Sequence, residues 1–299
     1  MDIGIINSSN SDKSPDFVDL VKAIRKLGHM EVPIQIDTLG INISKSIGIN
    51  QSSLRSEPKK IDVDCALLRS LGIIKDYEQW EQRVWSVRAM ELSGTYVMNP
   101  VMPWLASGSK LSALLLLAKN GIRVPDTVST ENLFIGYDTS KKFKESVIKQ
   151  LRSAMGFGIF KVDDPDVAWH SFSYLLNLNK PLYVQRYIEK IGNGDYRVIV
   201  IGGKVLGVEF RKGITWKSNV AQGATPVAVK KPDKELCEMA IKSTEALGLE
   251  FAGIDIAETK DGYYVLESNP SISWQGFRKA TGINPALEII KHAAKKAHS

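Results

Sequence analysis

Apolar and polar positions alternate along the first third of the chain with two different periods. An apolar run over residues 3–6 is followed by a polar loop and by DFVDLVKAIRKLG, whose apolar residues recur every three to four positions. EVPIQI, DVDCALLR and TYVMN are predicted as strands, and DYEQWEQRVWSVRAMELSG as a helix. This order predicts a small three-layer α/β domain over residues 1–100. The first turn lacks a glycine-rich sequence, which argues against a dinucleotide-binding dehydrogenase.

The rest of the chain mixes helices and hairpins in the manner of an α+β fold. The predicted elements are a helix capped by Ser109 and ended by Gly121, a polar linker after Thr127, strands at Ser146–Gln150 and Ile159–Val162 around the glycine-bearing turn Arg152–Gly158, a helix opened by Asp164-Pro165, the strand in PLYVQRYIEK, a hairpin around Gly202-Gly203, a helix at Asp233–Leu247 and a closing helix in NPALEIIKHAAKKA. TWKSNVAQGA and ISWQGFRK are expected as loops.

Composition narrows the class of protein. The 299 residues are 43% hydrophobic, contain no apolar run near 18 residues, and start without the charged and apolar regions of a signal peptide. Two distant cysteines, Cys65 and Cys237, argue against a disulfide framework and predict a cytoplasmic, globular protein. The net charge of +6 fits an acidic or phosphorylated ligand as well as it fits a lysine-rich surface. A basic run interspersed with aromatic residues, which would indicate nucleic-acid binding, is absent from the sequence, and the four histidines are scattered.

A second hairpin, residues 253–269, carries the first candidate chemistry. Its first strand holds Asp255, and its second, YYVLESN, holds Glu267 and Asn269 two positions apart and hence on one face. If Asp255 faces the same way, three oxygen donors of the kind Mg²⁺ prefers converge. A half-exposed hairpin with ordinary polar residues explains the spacing about as well.

Five further basic side chains suggest an anionic ligand. Lys110 lies in the first turn of a helix, where a lysine is unfavourable to the helix dipole. Lys149 and Lys161 flank the glycine-bearing turn, whose backbone N–H groups could cradle phosphate oxygens. Arg197 and Arg211 lie on the Gly202-Gly203 hairpin and would form an anion clamp beside the carboxylates. Each of these side chains, taken singly, is equally well explained as a solvated or salt-bridged residue.

The ordered set of motifs resembles the ATP-grasp superfamily, and within it the RimK-type amino-acid ligases, over residues 95–292. The motifs are Lys110 before GIRVPDT, Lys149 before the glycine loop, YVQRYIEK, GDYRVIVIGGKVLGVEFRKG, WKSNVAQGA, GIDI and YYVLESN. MGFGIFKVDDPDVA and GFRKATGINPA are most similar to archaeal ligases that add glutamate to tetrahydromethanopterin or to a deazaflavin coenzyme. The resemblance implies an N-terminal α/β domain (1–100) and two α+β subdomains, a central one (101–184) and a C-terminal one with the metal site (185–299), that clamp ATP between them.

The resemblance also implies a role for each matching residue. The implied roles are phosphate contact for Lys110 and Lys149, adenine contact for Gln185, Arg186, Tyr187 and Ile188, ribose contact for Glu189, metal ligation for Asp255, Glu267 and Asn269, contact with the transferred phosphoryl group for Arg211, contact with substrate for Asn219, and a substrate or structural role for Arg197. Two Mg²⁺ ions are implied, with Mn²⁺ as an alternative.

The implied activity is an ADP-forming carboxylate–amine ligase that works through an acyl phosphate. Its partners would be a small-molecule carboxylate and an amino acid, most simply L-glutamate, with no nucleic acid or membrane and with homo-oligomerisation left open. The chain departs from the family pattern at Gln150, Ser153 and Ala154, where relatives carry a proline and a Gly-Ser pair, and at Ser268. Two alternatives therefore stay open: a LysX-type ligase acting on a carrier protein or a peptide C-terminus, and a non-catalytic ATP-binding regulatory protein.

Overall fold

The computed structural model describes residues 1–8, 14–52, 57–74, 76–151, 158–218 and 223–298. The N-terminal elements are β1 (Asp2–Asn7), α1 (Pro15–Lys26), β2 (Met30–Gln35), β3 (Leu39–Ile43), β4 (Ile47–Gln51), β5 (Lys59–Lys60), β6 (Cys65–Leu68), α2 (Tyr77–Leu92) and β7 (Tyr96–Met98). Four parallel strands form one sheet in the order β2-β1-β6-β7. Ile3 and Ile5 pack on the α1 face, and Ile6 packs on the α2 face. The predicted three-layer α/β arrangement is confirmed.

A second sheet in this region was not apparent from the sequence. The strands β3, β4 and β5 form an antiparallel sheet over residues 39–60. In LGINISKSIGINQ the isoleucines alternate with polar residues and glycine, but Ile43 and Ile47 are exposed and only Ile49 is buried. Because the strands have so little buried area, their hydrophobic pattern is weak. Ile49 joins the core under α2, and the partly buried Leu39 and Ile41 pack against it.

The central elements form an antiparallel sheet covered by two helices. They are α3 (Val101–Ser107), α4 (Lys110–Lys119), β8 (Thr127–Thr130), α5 (Leu133–Phe143), β9 (Ser146–Lys149), β10 (Ile159–Val162), α6 (Pro165–Asn177) and β11 (Leu182–Arg186). The strand order is β10-β9-β11-β8. Ile148, Phe172 and Val184 lie in the core between this sheet and the helices α5 and α6. The predicted boundary between residues 184 and 185 falls inside β11.

One prediction in this region is wrong, and another is confirmed only in part. The segment after Thr127, expected as a polar linker, forms β8 and α5; Phe134 and Ile135 of α5 face solvent, which obscures the helical period. Ser109 occupies the N-cap position of α4, but its side chain makes no capping hydrogen bond. The Lys110 N–H, at the start of that helix, donates instead to the Leu151 carbonyl at 3.0 Å.

The C-terminal elements build a five-stranded antiparallel sheet. They are β12 (Gly194–Ile201), β13 (Lys204–Lys212), β14 (Thr225–Ala228), α7 (Lys234–Ala246), β15 (Phe251–Thr259), β16 (Gly262–Asn269), α8 (Gln275–Thr281) and α9 (Ala286–Ala297). The strand order is β14-β13-β12-β15-β16, and both predicted hairpins are confirmed. Within ISWQGFRK, expected as a loop, residues from Gln275 onward form α8, because Trp274 and Phe277 are buried against the core.

Among the helices of the described segments, none is by itself long and apolar enough to cross a bilayer. The pair α3 and α4 reaches the required length and composition only when the two are taken together, and they meet at 99°.

Candidate functional site

A cleft of about 680 Å³ opens between the central sheet and the C-terminal sheet. Its apolar lining comes from both sides: Val147 and Ile159 from β9 and β10, Leu266 from β16, and Ile188 from the segment that joins the two sheets. Its charged lining comes from Lys149, Arg186, Lys190, Asp195, Arg211, Lys217, Asp255 and Glu267. The cleft therefore combines apolar walls with a dense group of opposite charges.

Four of the five residues predicted to contact the base and the sugar line this cleft. Gln185 is buried at the end of β11, where its amide donates to Thr127 Oγ1 at 2.9 Å and its Oε1 accepts from Lys149 Nζ at 2.7 Å. Arg186, Tyr187 and Ile188 follow it along the cleft wall. Glu189 instead lines an adjoining cleft of about 920 Å³ on the other side of the same segment.

The three predicted metal ligands lie on one hairpin as expected. Asp255 on β15 is directly opposite Glu267 on β16, and Asn269 is opposite Gly253. A β-bulge next to the Asp255 pair leaves Leu266 as the extra residue, and Leu266 lines the cleft. Glu267 keeps 34% of its side chain exposed and accepts from Lys110 Nζ at 3.1 Å.

Two arginines hold Asp255 in the structure. Arg197 binds it through two bonds, Nε to Oδ1 at 2.8 Å and Nη2 to Oδ2 at 2.9 Å. Arg211 donates from Nη2 to Asp255 Oδ2 at 2.8 Å and to Asp195 Oδ1 at 2.7 Å. Burial alone would raise the pKa of Asp255, but the two arginines outweigh burial and hold that pKa below its usual range. The predicted anion clamp is thus already occupied by carboxylates of the protein.

The donor set fits a hard divalent cation such as Mg²⁺. Asp255 and Glu267 supply carboxylate oxygens and Asn269 supplies an amide oxygen. Asp255 Oδ1 accepts one bond from the described residues, which leaves it a second lone-pair direction. Asn269 Oδ1 accepts from the Ser271 N–H at 3.1 Å. Across the described segments no group of three His, Cys, Asp or Glu side chains is placed to hold a metal ion. A bound Mg²⁺ would therefore need the amide oxygen of Asn269 and oxygen atoms of a bound ligand as well as the two carboxylates.

Burial lowers the pKa of two of the three lysines that line the cleft. It lowers the pKa of Lys149 to about 8, although the charge of Glu267 opposes the shift. It also lowers the pKa of Lys190, against the opposing effect of Asp195. Lys161, the other lysine that flanks the glycine turn, pairs with Glu145 at 2.7 Å instead of lining the cleft.

Several cleft residues were not anticipated from the sequence. Lys190 donates to Ser218 Oγ at 2.8 Å and lies 4.0 Å from Asp195 Oδ2, and Trp216 packs edge-to-face on Tyr187. The sequence offered a faint signal, since Lys190 ends the YIEK motif and Trp216 lies in a segment rich in hydrogen-bonding side chains. Among the earlier predictions, Asn219 and the glycine turn up to residue 157 lie outside the described residues.

Comparison with known proteins identifies the fold around this cleft. The model of the RimK-like ATP-grasp domain matches residues 107–293. The chain belongs to the RimK-like ATP-grasp family. That assignment confirms the resemblance read from the motifs. The matched range begins just before Lys110 and contains every predicted site residue, whereas most of the N-terminal sheet region precedes it.

Two relatives support the family assignment, and one solved structure supports the fold. "Probable alpha-L-glutamate ligase" of a Marinomonas species is 29% identical over 282 residues, 93% of this chain and 91% of that protein. "Tetrahydromethanopterin:alpha-L-glutamate ligase" of Methanosarcina acetivorans is 29% identical over 285 residues, 82% of this chain and 86% of that protein. The ATP-grasp ligase PsnB, solved with a phosphomimetic variant of a minimal precursor, Mg and ADP, matches 99% of this chain and 98% of its own with a TM-score of 0.74 at 18% identity. The predicted ATP-grasp fold is therefore confirmed.

Proposed function

We propose that the protein is an ATP- and Mg²⁺-dependent ligase that joins the amine of L-glutamate to the carboxylate of a small molecule, releasing ADP and phosphate. The observation that carries the proposal is the composition of the cleft lining. The apolar side chains of Val147, Ile159, Ile188 and Leu266 line the same cleft as the charged side chains of Lys149, Arg211, Asp255 and Glu267. ATP combines an apolar base with charged phosphates in the same way. The names of two relatives at 29% identity support glutamate as the amino acid.

The nucleotide would lie across the cleft with its base against the apolar walls. Gln185, Arg186, Tyr187 and Ile188 would border the base, and Glu189 would reach the ribose from the adjoining cleft. Lys110 and Lys149 would contact the phosphates as point charges.

Asp255, Glu267 and Asn269 would hold the metal ions, two Mg²⁺ or the chemically similar Mn²⁺. When bound, the ions supply positive charge to the phosphate oxygens. Glu267 is exposed enough to reach them without rearrangement of the hairpin. Asp255 would keep its arginine contacts and share the lone pair of Oδ1 that those contacts leave.

The chemistry would proceed in two balanced steps. The acceptor carboxylate oxygen attacks the γ-phosphorus while the bond to the bridging oxygen of ADP breaks, giving an acyl phosphate. The free amine of glutamate then attacks the acyl carbon, inorganic phosphate leaves, and the nitrogen loses a proton. No enzyme nucleophile takes part, so the residues act by positioning and by offsetting negative charge. Arg211 suits this role because its Nη1 makes no bond to the described residues; Arg197 would keep Asp255 oriented, and Asn219 would contact the substrate.

We also propose that the chain folds as three units. The first covers residues 1–100, as the sequence suggested. The central unit would extend from residue 101 through Arg186, where β11 ends, instead of stopping at residue 184. The remaining residues to 299 would form the third unit, which carries the proposed metal ligands.

The decisive experiment is isotopic. Purified protein is incubated with MgATP, ¹³C-labelled glutamate and small-molecule extracts that contain pterin or deazaflavin coenzymes, and products are followed by mass spectrometry together with ADP release. We expect a labelled glutamyl adduct and equal amounts of ADP. Glu267→Gln should lower the rate about 100-fold or more, while Glu288→Gln, on the exposed face of α9, should leave it unchanged. Binding of MgATP without any adduct or ADP from a broad panel of acceptors and amino acids would contradict the proposal.

A further inference from the structure

A second cavity, of about 480 Å³, lies on the N-terminal side of the molecule, separate from the proposed nucleotide cleft. Its polar lining consists of Asn7, Ser14, Asp16, Arg69, Ser271 and Ser273. The first four come from the parallel sheet and from α1. The two serines come from the segment that directly follows the proposed metal ligand Asn269.

The cavity occupies the position in the parallel sheet where such folds bind ligands. From β1 the chain moves outward to β2, while β6 is added on the other side of β1 and leads to β7. The boundary between β1 and β6 is therefore the point where the strand order reverses, and ligands of open α/β sheets bind there at the carboxyl ends of the strands. Asn7 ends β1, and Arg69 directly follows β6.

Arg69 is a cation held in place by uncharged groups; burial lowers its pKa to about 10, and the charge of Asp16 opposes that shift. Its Nη2 donates to the Ile272 carbonyl at 2.7 Å, and its guanidinium lies 4.8 Å above the ring of Trp274. Within the described segments it forms no ion pair with any carboxylate. Asp16, the one carboxylate of that lining, accepts a hydrogen bond from Gln275 at 2.7 Å instead. An oriented arginine with unused N–H donors is suited to a planar or tetrahedral oxyanion.

The same arginine connects the cavity to the proposed metal site. Ser271 Oγ donates to the Arg69 carbonyl at 2.5 Å, and the Ser271 N–H donates to Asn269 Oδ1 at 3.1 Å. Ser271 is only four positions after Glu267, a path of at most about 14 Å even when fully extended. A ligand of ordinary coenzyme size can therefore reach from the cavity to the reacting phosphate.

We propose that this cavity binds an oxyanion of the acceptor, a carboxylate or a phosphate ester, with Arg69 as its anchor. The proposal rests on the ligase function above and specifies it: the acceptor carries a second anionic group in addition to the carboxylate that is activated. Arg69 touches the acceptor away from the reacting atoms and so determines specificity. Ser273 would contribute a hydroxyl donor to the same oxyanion, whereas the Ser271 hydroxyl is committed to the Arg69 carbonyl.

The test uses two small oxyanions as probes: inorganic phosphate, which stands for a phosphate ester, and succinate, which stands for a carboxylate. Each is titrated calorimetrically into full-length protein saturated with Mg²⁺ and the ATP analogue AMPPNP, so that the nucleotide cleft is filled. We expect at least one probe to bind the wild type and to bind Arg69→Met about 10- to 100-fold more weakly. Arg88→Met, which removes an exposed arginine on α2, should bind like the wild type. A preference for phosphate or for succinate distinguishes an ester from a carboxylate.

Arg69→Lys provides a second variant if the methionine variant misfolds, because it keeps the charge and loses the forked geometry. Its probe affinity should fall while its AMPPNP affinity stays at the wild-type value. Equal probe binding by the wild type and both variants, or no binding of either probe to the wild type, overturns the inference. Because this assay needs no turnover, an inactive protein with Arg69-dependent probe binding would contradict the ligase proposal alone. An active ligase whose KM for its acceptor is unchanged by Arg69→Met would contradict the cavity assignment alone.

Discussion

The lowered pKa of Lys149 should make nucleotide binding depend on pH. Its pKa is about 8 in the free protein because of burial, and phosphates beside it favour the protonated form and raise that pKa. Below pH 8 the lysine is already charged, whereas above pH 8 nucleotide binding must take up a proton, and the affinity falls by up to about tenfold per pH unit. Calorimetry of Mg–AMPPNP binding at pH 8.5 to 9, in buffers of different ionisation enthalpy, measures this uptake.

The comparison with two variants separates Lys149 from other groups that titrate in the same range. Lys149→Met should lose most of the proton uptake, and Lys119→Met, on the exposed end of α4, should keep it. Uptake that is the same in all three proteins would show that another group is responsible.

Glu209 is a buried carboxylate that makes the folded state sensitive to pH. Its Oε2 has no partner among the described residues, and burial raises its pKa although Arg197 and Arg211 oppose the shift. Since the folded pKa is raised, the protonated form is favoured by folding, and stability falls as the pH rises from the unfolded pKa through the folded one. Glu209→Gln should remove this loss and raise the free energy of unfolding at pH 7 by about 1 kcal/mol.

Urea denaturation between pH 4 and pH 8 gives the measurement for Glu209. The wild-type and variant curves should converge at low pH and separate as the pH rises. A variant that is less stable at pH 7 would indicate that the ionised carboxylate is satisfied by its surroundings. Glu238→Gln, on the exposed face of α7, serves as the control.

At the scale of elements, local sequence patterns predicted the hairpins, whereas the contacts within the site depend on which strands pair in the sheet. The alternation of YYVLESN placed Glu267 and Asn269 on one face, and strand pairing then set Asp255 opposite Glu267. No local pattern could indicate that Arg197 and Arg211 would both bind Asp255, because that contact depends on the strand order β13-β12-β15-β16. The helix α5 was missed for a different reason: its apolar side chains face solvent as well as the core, so its period is blurred.

Two helical glycines offer a matched test of packing at the element scale. A Cβ on Gly136 of α5 would lie 2.5 Å from Leu182 Cδ1, a fully buried side chain, whereas a Cβ on Gly276 of α8 would meet nothing within 4 Å. Gly136→Ala should therefore destabilise the protein by about 1–3 kcal/mol through overpacking. Gly276→Ala should stabilise it by up to about 1 kcal/mol through helix propensity. Urea denaturation measures both, and changes of the same sign would contradict the packing argument.

At the scale of the whole molecule, Asn99 joins the N-terminal sheet to the C-terminal one. Its Nδ2 donates to the carbonyls of Phe251 and Pro270 at 2.7 and 3.0 Å, and its Oδ1 accepts from the N–H groups of Glu250 and Phe251 at 2.8 and 2.9 Å. Asn99→Ala leaves these buried groups unsatisfied and should cost at least about 2 kcal/mol of unfolding free energy.

Thermal and urea unfolding of Asn99→Ala are compared with those of Asn120→Ala. Asn120 is exposed at the end of α4 and donates to one carbonyl of its own helix, so its removal should cost much less. Similar losses for the two variants would mean that the joint is held by other contacts.

The four bonds of Asn99 all end on main-chain atoms, and this bears on how such proteins diversify. Asn99 itself is therefore indifferent to the side chains at residues 250, 251 and 270. The apolar core around it is not, because Phe251 and Trp274 pack in one cluster with Ile3 and Ile5, and the proposed acceptor cavity takes Ser271 and Ser273 from the C-terminal side. Chimeras cut just after Asn99 should therefore fold and change acceptor preference only when the residues that face the N-terminal sheet are exchanged with it.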